Sequence, residues 1–375
     1  MSRLGRSLRL ARALSNTARA ATYDWLGKFP PAPLMVYVEL TRRCNMKCQH
    51  CDIWMTAQQH ENLAASEVPG HRLLEVLTGL APKGLLAVDL FGGEPLLRAD
   101  LPEIIHGLKG AGLHVTVTTN GTLLTKERCD SLLTAGLDQL LVSIDGPDAA
   151  THDAIRGKPG TFAKATAGLQ MFSEMAAGRA RTGVNTLVCR PNLELLSQMP
   201  ELARTLGASQ LRLLPYHQCY PFNQFVQEDK LMPRNHDIAA LATALRLVME
   251  RAGQMGLHTN SRTYLDGIER WYRGDPLTVR CQAGLTVCDI NGFGEVYPCY
   301  TLARPAGNIK TQEFSEIWQS ANLTSHRKES KGCDKCWQSC YIEPGLRLSL
   351  SALWADRQAV LHDVMEYFLG HKDRA

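Results

Sequence analysis

Three cysteines near the amino-terminal end of the chain are spaced as metal ligands. Cys44, Cys48 and Cys51 form the pattern C-x3-C-x2-C on one short segment. Thiolates are the usual ligands of iron–sulfur clusters and of structural zinc. Three thiolates leave one iron of a four-iron cluster open, and an open iron can bind a second molecule and pass it an electron. A zinc site would need a fourth ligand, which His50 or His60 could supply.

Most of the remaining cysteines form a second group near the carboxyl end. The chain has 12 cysteines, but no apolar secretory signal and no spacing typical of a small disulfide-rich scaffold. In a reducing compartment, clustered thiols indicate metal or iron–sulfur ligands. A zinc ribbon with Cys333 and Cys336 as one knuckle is the structural alternative. The second group comprises Cys281, Cys288, Cys299, Cys333, Cys336 and Cys340.

The elements that must position the first group alternate between strand and helix. About six strand–helix alternations predict a parallel sheet with right-handed crossovers, and hence an open or closed β/α barrel. The predicted strands are Met35–Leu40, Leu85–Phe91, Leu113–Thr119, Gln139–Ile144, Thr182–Val188 and Gln210–Leu214. The predicted helices include Leu101–Lys109, Lys126–Ala135, Phe162–Met175, Leu193–Leu206 and, after the alternation ends near residue 220, Asp237–Ala252.

Unusual polar and sulfur-bearing residues follow these strands. In parallel α/β folds the chemistry lies at the carboxyl ends of the strands, so we expect the functional site at this rim. The segments that follow strands one, two, three, four and six are Thr41-Arg42-Arg43-Cys44, Gly92-Gly93-Glu94-Pro95, Asn120-Gly121, Asp145-Gly146-Pro147 and Tyr216-His217-Gln218-Cys219.

The first cysteine pattern and its place after a strand resemble the radical S-adenosylmethionine (SAM, or AdoMet) superfamily, over roughly residues 35 to 215. The resemblance implies a partial (β/α)6 barrel and a [4Fe-4S] cluster whose open iron chelates the amino and carboxylate groups of SAM. Electron transfer then cleaves SAM to methionine and a 5′-deoxyadenosyl radical. That radical abstracts hydrogen from a substrate.

The same resemblance implies which residues contact SAM. Gly92, Gly93 and Glu94 match the family's GGEP segment, whose backbone and Glu accept hydrogen bonds from the methionine ammonium. Arg156 matches an arginine that pairs with the SAM carboxylate. His50 stands where the family often has an aromatic residue that covers the adenine. Ser143 and Asp145 lie where the family contacts the ribose and the carboxylate, and further candidates on neighbouring strand ends are Thr119, Asn120 and Asn185. For Asn120, Ser143 and Asp145, turn and cap chemistry after a strand is the alternative.

The second cysteine group resembles the SPASM or twitch extension that follows the barrel in many radical SAM enzymes. That extension binds one or two auxiliary [4Fe-4S] clusters. Two complete clusters would need about eight cysteines, and six are present. We therefore expect one complete cluster, ligated by Cys281, Cys288, Cys299 and one of the last three cysteines, and leave a second open. The matching pattern, over roughly residues 280 to 343, is Cys281-x12-Gly294-x4-Cys299 followed by Cys333-x2-Cys336-x3-Cys340.

Three cysteines lie outside both groups. The first, Cys129, falls in a predicted helix and is expected to act as a small apolar residue. The second is Cys189. Cys219 follows the sixth strand on the rim, where a substrate would lie. A thiol there could give a hydrogen atom to a substrate radical and complete an epimerisation or reduction.

The charge of the 375-residue chain is concentrated at its amino-terminal end. The formal net charge is +4, yet residues 1–23 contain Arg3, Arg6, Arg9, Arg12 and Arg19 and no acidic residue. The remainder is nearly neutral, which gives no electrostatic reason to expect nucleic acid. No apolar run has the length of a membrane-spanning helix. The basic amphipathic helix predicted for residues 1–23 suits a membrane surface, a mitochondrial presequence or a cover for the barrel.

These observations predict a cytoplasmic radical SAM enzyme, with a peripheral membrane position as an alternative. Its expected substrate is a small-molecule or lipid-linked biosynthetic intermediate, and its expected partner is a flavodoxin- or ferredoxin-type reductase. Peptide modification is one alternative, and a non-catalytic iron–sulfur or zinc protein on a decayed barrel is another. The expected domains are a basic segment (1–34), the partial barrel (35–220), a helical linker (221–279), the SPASM/twitch-like domain (280–345) and a terminal helix (346–375).

Overall fold

Runs rich in valine, leucine and threonine form the strands, because branched side chains favour the extended backbone. The computed structural model describes residues 3–57, 62–217, 230–276 and 279–347. Within these ranges the strands are β1 (Met35–Glu39), β2 (Ala87–Phe91), β3 (His114–Thr119), β4 (Gln139–Ser143), β5 (Arg181–Val188), β6 (Gln210–Pro215), β7 (His258–Thr259), β8 (Val287–Ile290), β9 (Glu295–Tyr297) and β10 (Gly307–Asn308).

These strands belong to one sheet, in the order β10-β9-β8-β1-β2-β3-β4-β5-β6-β7. Neighbouring strands from β8 through β1 to β7 run parallel. The pairs β8–β9 and β9–β10 are antiparallel. The two cysteine-bearing parts of the chain therefore share a sheet, and β8 lies directly beside β1.

Strands β1 to β6 confirm the predicted partial (β/α)6 barrel. Their bounds follow the predicted ones closely, and the largest difference is that β2 begins at Ala87 rather than Leu85. The expectation that the alternation ends near residue 220 is wrong, because β7 adds a further parallel strand beside β6. With two residues, β7 is too short to display a strand period in the sequence.

Helices with one apolar face connect the strands. The helix expected over residues 193–206 is instead a 3₁₀ segment, Arg190–Gln198, followed by a separate α-helix. Pro200 has no backbone N–H to donate, so it begins a new helix rather than continuing the old one. The α-helices are α1 (Arg3–Leu26), α2 (Ile53–Ala57), α3 (Leu63–Ser66), α4 (Gly70–Leu80), α5 (Leu101–Gly110), α6 (Lys126–Thr134), α7 (Ala149–Arg156), α8 (Thr161–Ala176), α9 (Met199–Thr205), α10 (Ile238–Gln254), α11 (Arg262–Arg273), α12 (Phe314–Gln319), α13 (Ala321–Glu329) and α14 (Ser339–Arg347).

The two faces of the parallel strands carry different chemistry, since successive side chains point to opposite faces. On one face, Val36 and Val88 are fully buried in the main apolar core. On the other face, the Thr118 hydroxyl donates to Asp89 Oδ1 at 3.0 Å. Burial raises the pKa of Asp89 to about 6, although Arg212 acts to lower it. The inner face of the partial barrel is therefore polar.

Helix α1 packs against the outside of the barrel. Ala13 is buried against Leu86, and Tyr23 is buried against Leu285. The Asn16 side chain, itself buried, donates to the Lys83 carbonyl at 3.0 Å. The helix thus covers the barrel, which is one of the three roles expected for residues 1–23. Within the described ranges, no helix combines the length and apolar content that crossing a bilayer requires.

A buried tryptophan joins the segment after α1 to the carboxyl-terminal module. Trp318 on α12 is 0% exposed, and its Nε1–H donates to the Pro30 carbonyl at 2.7 Å. Its ring stacks on Phe314 with the centroids 5.8 Å apart. The Arg327 guanidinium carbon lies 4.8 Å from the ring centroid. This cluster holds the amino-terminal segment against the auxiliary module.

Trp318→Ala should lower the free energy of unfolding by about 4 kcal/mol, because it removes a buried ring and leaves a cavity. The matched change Trp25→Ala, at a residue that is 84% exposed, should alter it by less than about 0.5 kcal/mol. Chemical denaturation followed by circular dichroism measures both. Equal effects of the two substitutions would contradict this account of the packing.

Candidate active site

The three amino-terminal cysteines surround one cavity at the carboxyl ends of the strands. Cys44, Cys48 and Cys51 line a cavity of about 260 Å³, together with residues that follow β2, β3, β4 and β6. The Cys51 N–H donates to the Cys48 carbonyl at 3.3 Å and turns the segment back on itself. In the part of the chain that the structure describes, no three His, Cys, Asp or Glu side chains converge tightly enough to hold a single metal ion. The thiols instead border a shared space.

Burial raises the pKa of all three thiols. The pKa of Cys44 rises to about 12, mainly through burial and further through the nearby Cys48 thiol. Burial also raises the pKa of Cys51 well above its usual value. At Cys48 the positive charge of Arg156 opposes this effect, since Arg156 Nη1 lies 4.0 Å from Sγ. Thiolates in this loop therefore depend on nearby positive charge, which a bound iron–sulfur cluster would add.

The loop after β2 forms a glycine wall of the same cavity. Gly92 and Gly93 both line it, and the Gly93 N–H donates to the Thr41 carbonyl at 2.7 Å. Gly92 has φ +144°, and a Cβ there would lie 2.5 Å from the Thr41 carbonyl oxygen. A Cβ on Gly93 would press against the Arg43 carbonyl. Only glycine permits this approach, so backbone rather than side chain faces the cavity.

Glu94 is engaged by the protein itself. Its carboxylate is fully buried, whereas its neighbours Gly92 and Gly93 line the cavity. Oε1 accepts hydrogen bonds from the Leu96 N–H at 3.0 Å and the Thr119 hydroxyl at 2.6 Å. Oε2 accepts one from the Asn120 N–H at 2.9 Å. Glu94 therefore ties the loop after β2 to the loop after β3.

Asp145 and Arg156 form a buried ion pair at the edge of the cavity. Arg156 Nε donates to Asp145 Oδ2 at 2.6 Å, and Arg156 lines the cavity. Asp145 Oδ1 accepts a hydrogen bond from the Leu187 N–H at 2.9 Å. Although burial alone would raise the pKa of Asp145, the Arg156 charge holds it below its usual value. Asp145 thus orients Arg156 and is fully buried itself.

The remaining predicted contacts lie on or beside the cavity wall. Asn120 and Ser143 line it. Asn185 lies opposite Ser143 in the β4–β5 pairing. The Asn185 Oδ1 atom is buried and accepts no hydrogen bond from the protein. A buried polar atom without a donor fits a site that a polar ligand completes. His50 also lines the cavity, and burial lowers its pKa to about 4.

The lining residues that were not predicted include Trp54, Phe91 and Gln338, whereas His217 belongs to a rim segment expected to form the site. Trp54 lies three residues after the last cysteine of the loop, and its Nε1–H donates to the Cys48 carbonyl at 3.3 Å. That spacing is a local signal that could have identified it. Gln338 lies between two auxiliary cysteines, so no local signal points to it. Its position brings the auxiliary segment to the wall of the first cavity.

Four of the six carboxyl-terminal cysteines line a second cavity. Burial and the nearby Cys336 thiol raise the pKa of Cys299 to about 12. His326 also lines this cavity, and its Nε2 atom is buried with no hydrogen-bond partner. Four thiols are the ligand set of one fully ligated four-iron cluster. The cysteines that line this cavity are Cys281, Cys299, Cys333 and Cys336.

The structure does not bring Cys288 to this cavity, although we expected it there. Cys288 lies on β8, where it pairs with Val36 of β1, and it is buried in the main apolar core. Because β8 is paired on both sides, with β1 and with β9, the backbone holds Cys288 away from the cavity that the other cysteines line. Cys340 lies close to Cys299 and Cys336, whose proximity adds to burial in raising its pKa.

The lone cysteines have separate surroundings. Cys129 on α6 is buried in the main apolar core. Cys189 is buried with Ile155 and Tyr216 in a smaller cluster. Cys219 lies outside the described residues, and so do residues 348–375 of the predicted terminal helix.

Two family models match the chain where these cavities lie. The radical SAM superfamily model matches residues 38–193, and the SPASM model, an iron–sulfur cluster-binding domain, matches residues 281–341. An AdoMet-dependent heme synthase of Methanosarcina barkeri is 33% identical over 312 residues, which cover 78% of this chain and 84% of that relative. The chain therefore belongs to the radical SAM superfamily of enzymes and carries a SPASM domain.

Other similar proteins share this architecture. A PqqA peptide cyclase of Methylocella silvestris is 30% identical over 294 residues, which cover 76% of this chain and 74% of that relative. The structure of Streptococcus suis SuiB bound to precursor peptide SuiA has a TM-score of 0.63 at 16% identity, over 84% of this chain and 70% of that chain, and shares the fold. The radical SAM domain binds a [4Fe-4S] cluster and AdoMet, and the SPASM domain binds auxiliary iron–sulfur clusters. The predicted fold, enzyme class and cofactors are confirmed.

Asp145→Asn and Arg156→Met should each weaken AdoMet binding by about tenfold, the loss of one charge-assisted contact. Because Asp145 acts by orienting Arg156, the double variant should bind about as well as Arg156→Met alone. Equilibrium binding of AdoMet to anaerobically reconstituted protein measures the three affinities, with exposed Asp130→Asn as the control. Fully additive losses would contradict the positioning role of Asp145.

The triple variant Cys44→Ala, Cys48→Ala, Cys51→Ala should keep about four iron atoms per chain, because four other thiols, those of Cys281, Cys299, Cys333 and Cys336, line one cavity. Adding Cys336→Ser should remove this iron, whereas adding Cys288→Ser should not. Iron and sulfide analysis after anaerobic reconstitution distinguishes the two. Retention of about eight iron atoms, or equal losses from the two serine substitutions, would contradict the assignment.

Proposed function

We propose that this enzyme cleaves AdoMet reductively and uses the resulting 5′-deoxyadenosyl radical to abstract hydrogen from a small-molecule or lipid-linked biosynthetic substrate. The observation that carries this proposal is that the thiols of Cys44, Cys48 and Cys51 share one cavity with Gly92 and Gly93. This arrangement supports a cluster and AdoMet bound side by side. When bound, the cluster at these thiols supplies the electron for cleavage.

The proposed AdoMet contacts come from the cavity wall. The exposed backbone of Gly92 and Gly93 faces the methionine part of AdoMet. Arg156, held by Asp145, directs its guanidinium at the carboxylate. The unpartnered Asn185 Oδ1 accepts a donor from the ligand. The remaining proposed contacts are Asn120 and Ser143. Glu94 acts indirectly, by holding the loops after β2 and β3 together.

One auxiliary [4Fe-4S] cluster is proposed at Cys281, Cys299, Cys333 and Cys336. Tyr300 follows Cys299 in the chain and packs in one buried cluster with Cys51, so this residue connects the two cavities. A substrate that has lost a hydrogen atom could pass its remaining unpaired electron along this connection to the auxiliary cluster, which would be reduced by one electron, and release a proton. The contact therefore supports oxidation as the net reaction, ahead of epimerisation or rearrangement.

The substrate class rests on the relatives. The name AdoMet-dependent heme synthase, at 33% identity, supports a small-molecule biosynthetic substrate. A peptide substrate is the second candidate, and the PqqA peptide cyclases at about the same coverage favour it. The proposed partners are a flavodoxin- or ferredoxin-type reductase that supplies electrons and a membrane surface that α1 contacts.

The substrate class can be tested with deuterated cell extracts separated into small molecules, lipids and peptides. Reconstituted enzyme is supplied with AdoMet, a reductant and each extract in turn, and mass spectrometry measures deuterium in 5′-deoxyadenosine. We expect transfer from the small-molecule or the lipid extract. The extract that donates deuterium contains the substrate.

Two variants serve as controls. The triple variant Cys44→Ala, Cys48→Ala, Cys51→Ala should form no 5′-deoxyadenosine. Cys129→Ala, which alters a core thiol outside both groups, should leave the transfer unchanged. Transfer from the peptide extract alone would overturn the proposed substrate class, and failure of the wild type to cleave AdoMet would overturn the proposed reaction.

A further inference from the structure

The large hydrophobic side chains that are exposed in the described part of the chain all lie on α1. Leu8 is 52% exposed, Leu14 57%, Trp25 84% and Leu26 65%. Leu8 and Leu26 are eighteen residues apart, which is about five helical turns, so they lie on the same side of the helix. A globular protein rarely leaves such a group uncovered without a binding partner.

Another side of α1 is already occupied. Ala13, Asn16, Ala20 and Tyr23 are buried, and their spacing of three and four residues places them on one helical face. This face packs on the barrel. The helix is therefore fixed in place with Leu8 and Leu26 exposed, and it does not have to detach in order to present them.

A cationic pocket lies beside Leu8 and Leu26. Arg12, Arg19 and Lys83 line an open pocket of about 350 Å³, and none of its lining residues is acidic. Arg12 and Arg19 are two turns apart on one side of α1. Arg12 Nη1 donates to the Pro82 carbonyl, which holds the guanidinium at the pocket rim. Three positive side chains around one pocket fit a phosphate group.

We propose that α1 docks on an anionic membrane surface. Leu8 and Leu26 enter the interface between the headgroups and the acyl chains, and the pocket lined by Arg12, Arg19 and Lys83 holds a lipid phosphate. The five arginines and no acids of residues 1–23 complement such a surface. This inference deepens the proposed membrane contact and does not depend on the radical chemistry.

Charge favours a membrane over a second copy of the chain as the occupant. A symmetric dimer through α1 would place each copy's Arg12 and Arg19 close to those of its partner. Like charges brought together in this way repel. An anionic bilayer meets the same side chains with opposite charge and accepts the apolar residues as well.

Vesicle co-sedimentation tests the proposal with the full-length protein. We expect binding to vesicles of equal parts phosphatidylglycerol and phosphatidylcholine, and little binding to phosphatidylcholine alone. Arg12→Gln with Arg19→Gln should weaken binding by about tenfold or more. Leu8→Ser with Leu26→Ser should do the same through lost apolar insertion. Lys126→Gln with Lys164→Gln, which removes two exposed charges from α6 and α8, should leave binding unchanged.

Thermal unfolding of each variant shows that the fold is retained. Equal binding of wild type and both α1 variants, or binding by wild type of inorganic phosphate but not of vesicles, would overturn the proposal. A dimer that is lost with Leu8→Ser and Leu26→Ser, without vesicle binding, would assign the surface to a second copy instead. Because none of these assays requires AdoMet cleavage, failure here and failure of the proposed reaction remain distinguishable.

Discussion

The backbone contact between the loops after β1 and β2 is the constraint on which the rest of the site depends. The Gly93 N–H donates to the Thr41 carbonyl at 2.7 Å, and the Glu94 N–H donates to the Arg43 carbonyl at 2.8 Å. These bonds extend the pairing of β1 and β2 past the ends of both strands. A side chain at Gly92 or Gly93 would force the loops apart, so the cysteine loop begins at a point that the glycines define.

Buried polar groups hold this contact from several sides. Arg98 Nη1 donates to the Leu40 carbonyl at 3.0 Å, and the Glu67 carboxylate accepts hydrogen bonds from the Thr41 hydroxyl and the Arg43 guanidinium. The Glu94 carboxylate ties in the loop after β3, because it accepts hydrogen bonds from the Thr119 hydroxyl and the Asn120 N–H. The other edge of β1 pairs with β8 of the SPASM domain. The position of β1 therefore affects both cysteine-lined cavities at once.

Features that depend on local patterns could be predicted from the sequence. Strands β1 to β6 show alternating or continuous apolar runs, and Cys44, Cys48 and Cys51 lie within eight residues of one another, so neither required knowledge of distant contacts. Features set by tertiary pairing could not be predicted. Cys288 is of a residue type that binds iron–sulfur clusters, but its strand pairs with β1 and holds it in the core. Gln338 reaches the first cavity only because the two domains pack together, and the short β7 carries no period.

Gly93→Ala provides the most direct test of the central constraint, with Gly110→Ala as its control. Gly110 ends α5, and a Cβ there meets nothing within 4 Å, so that variant should load iron and cleave AdoMet as the wild type does. For Gly93→Ala we expect iron to fall from about eight to about four atoms per chain after anaerobic reconstitution, with AdoMet cleavage lost. Full iron loading and normal cleavage by Gly93→Ala would contradict the account.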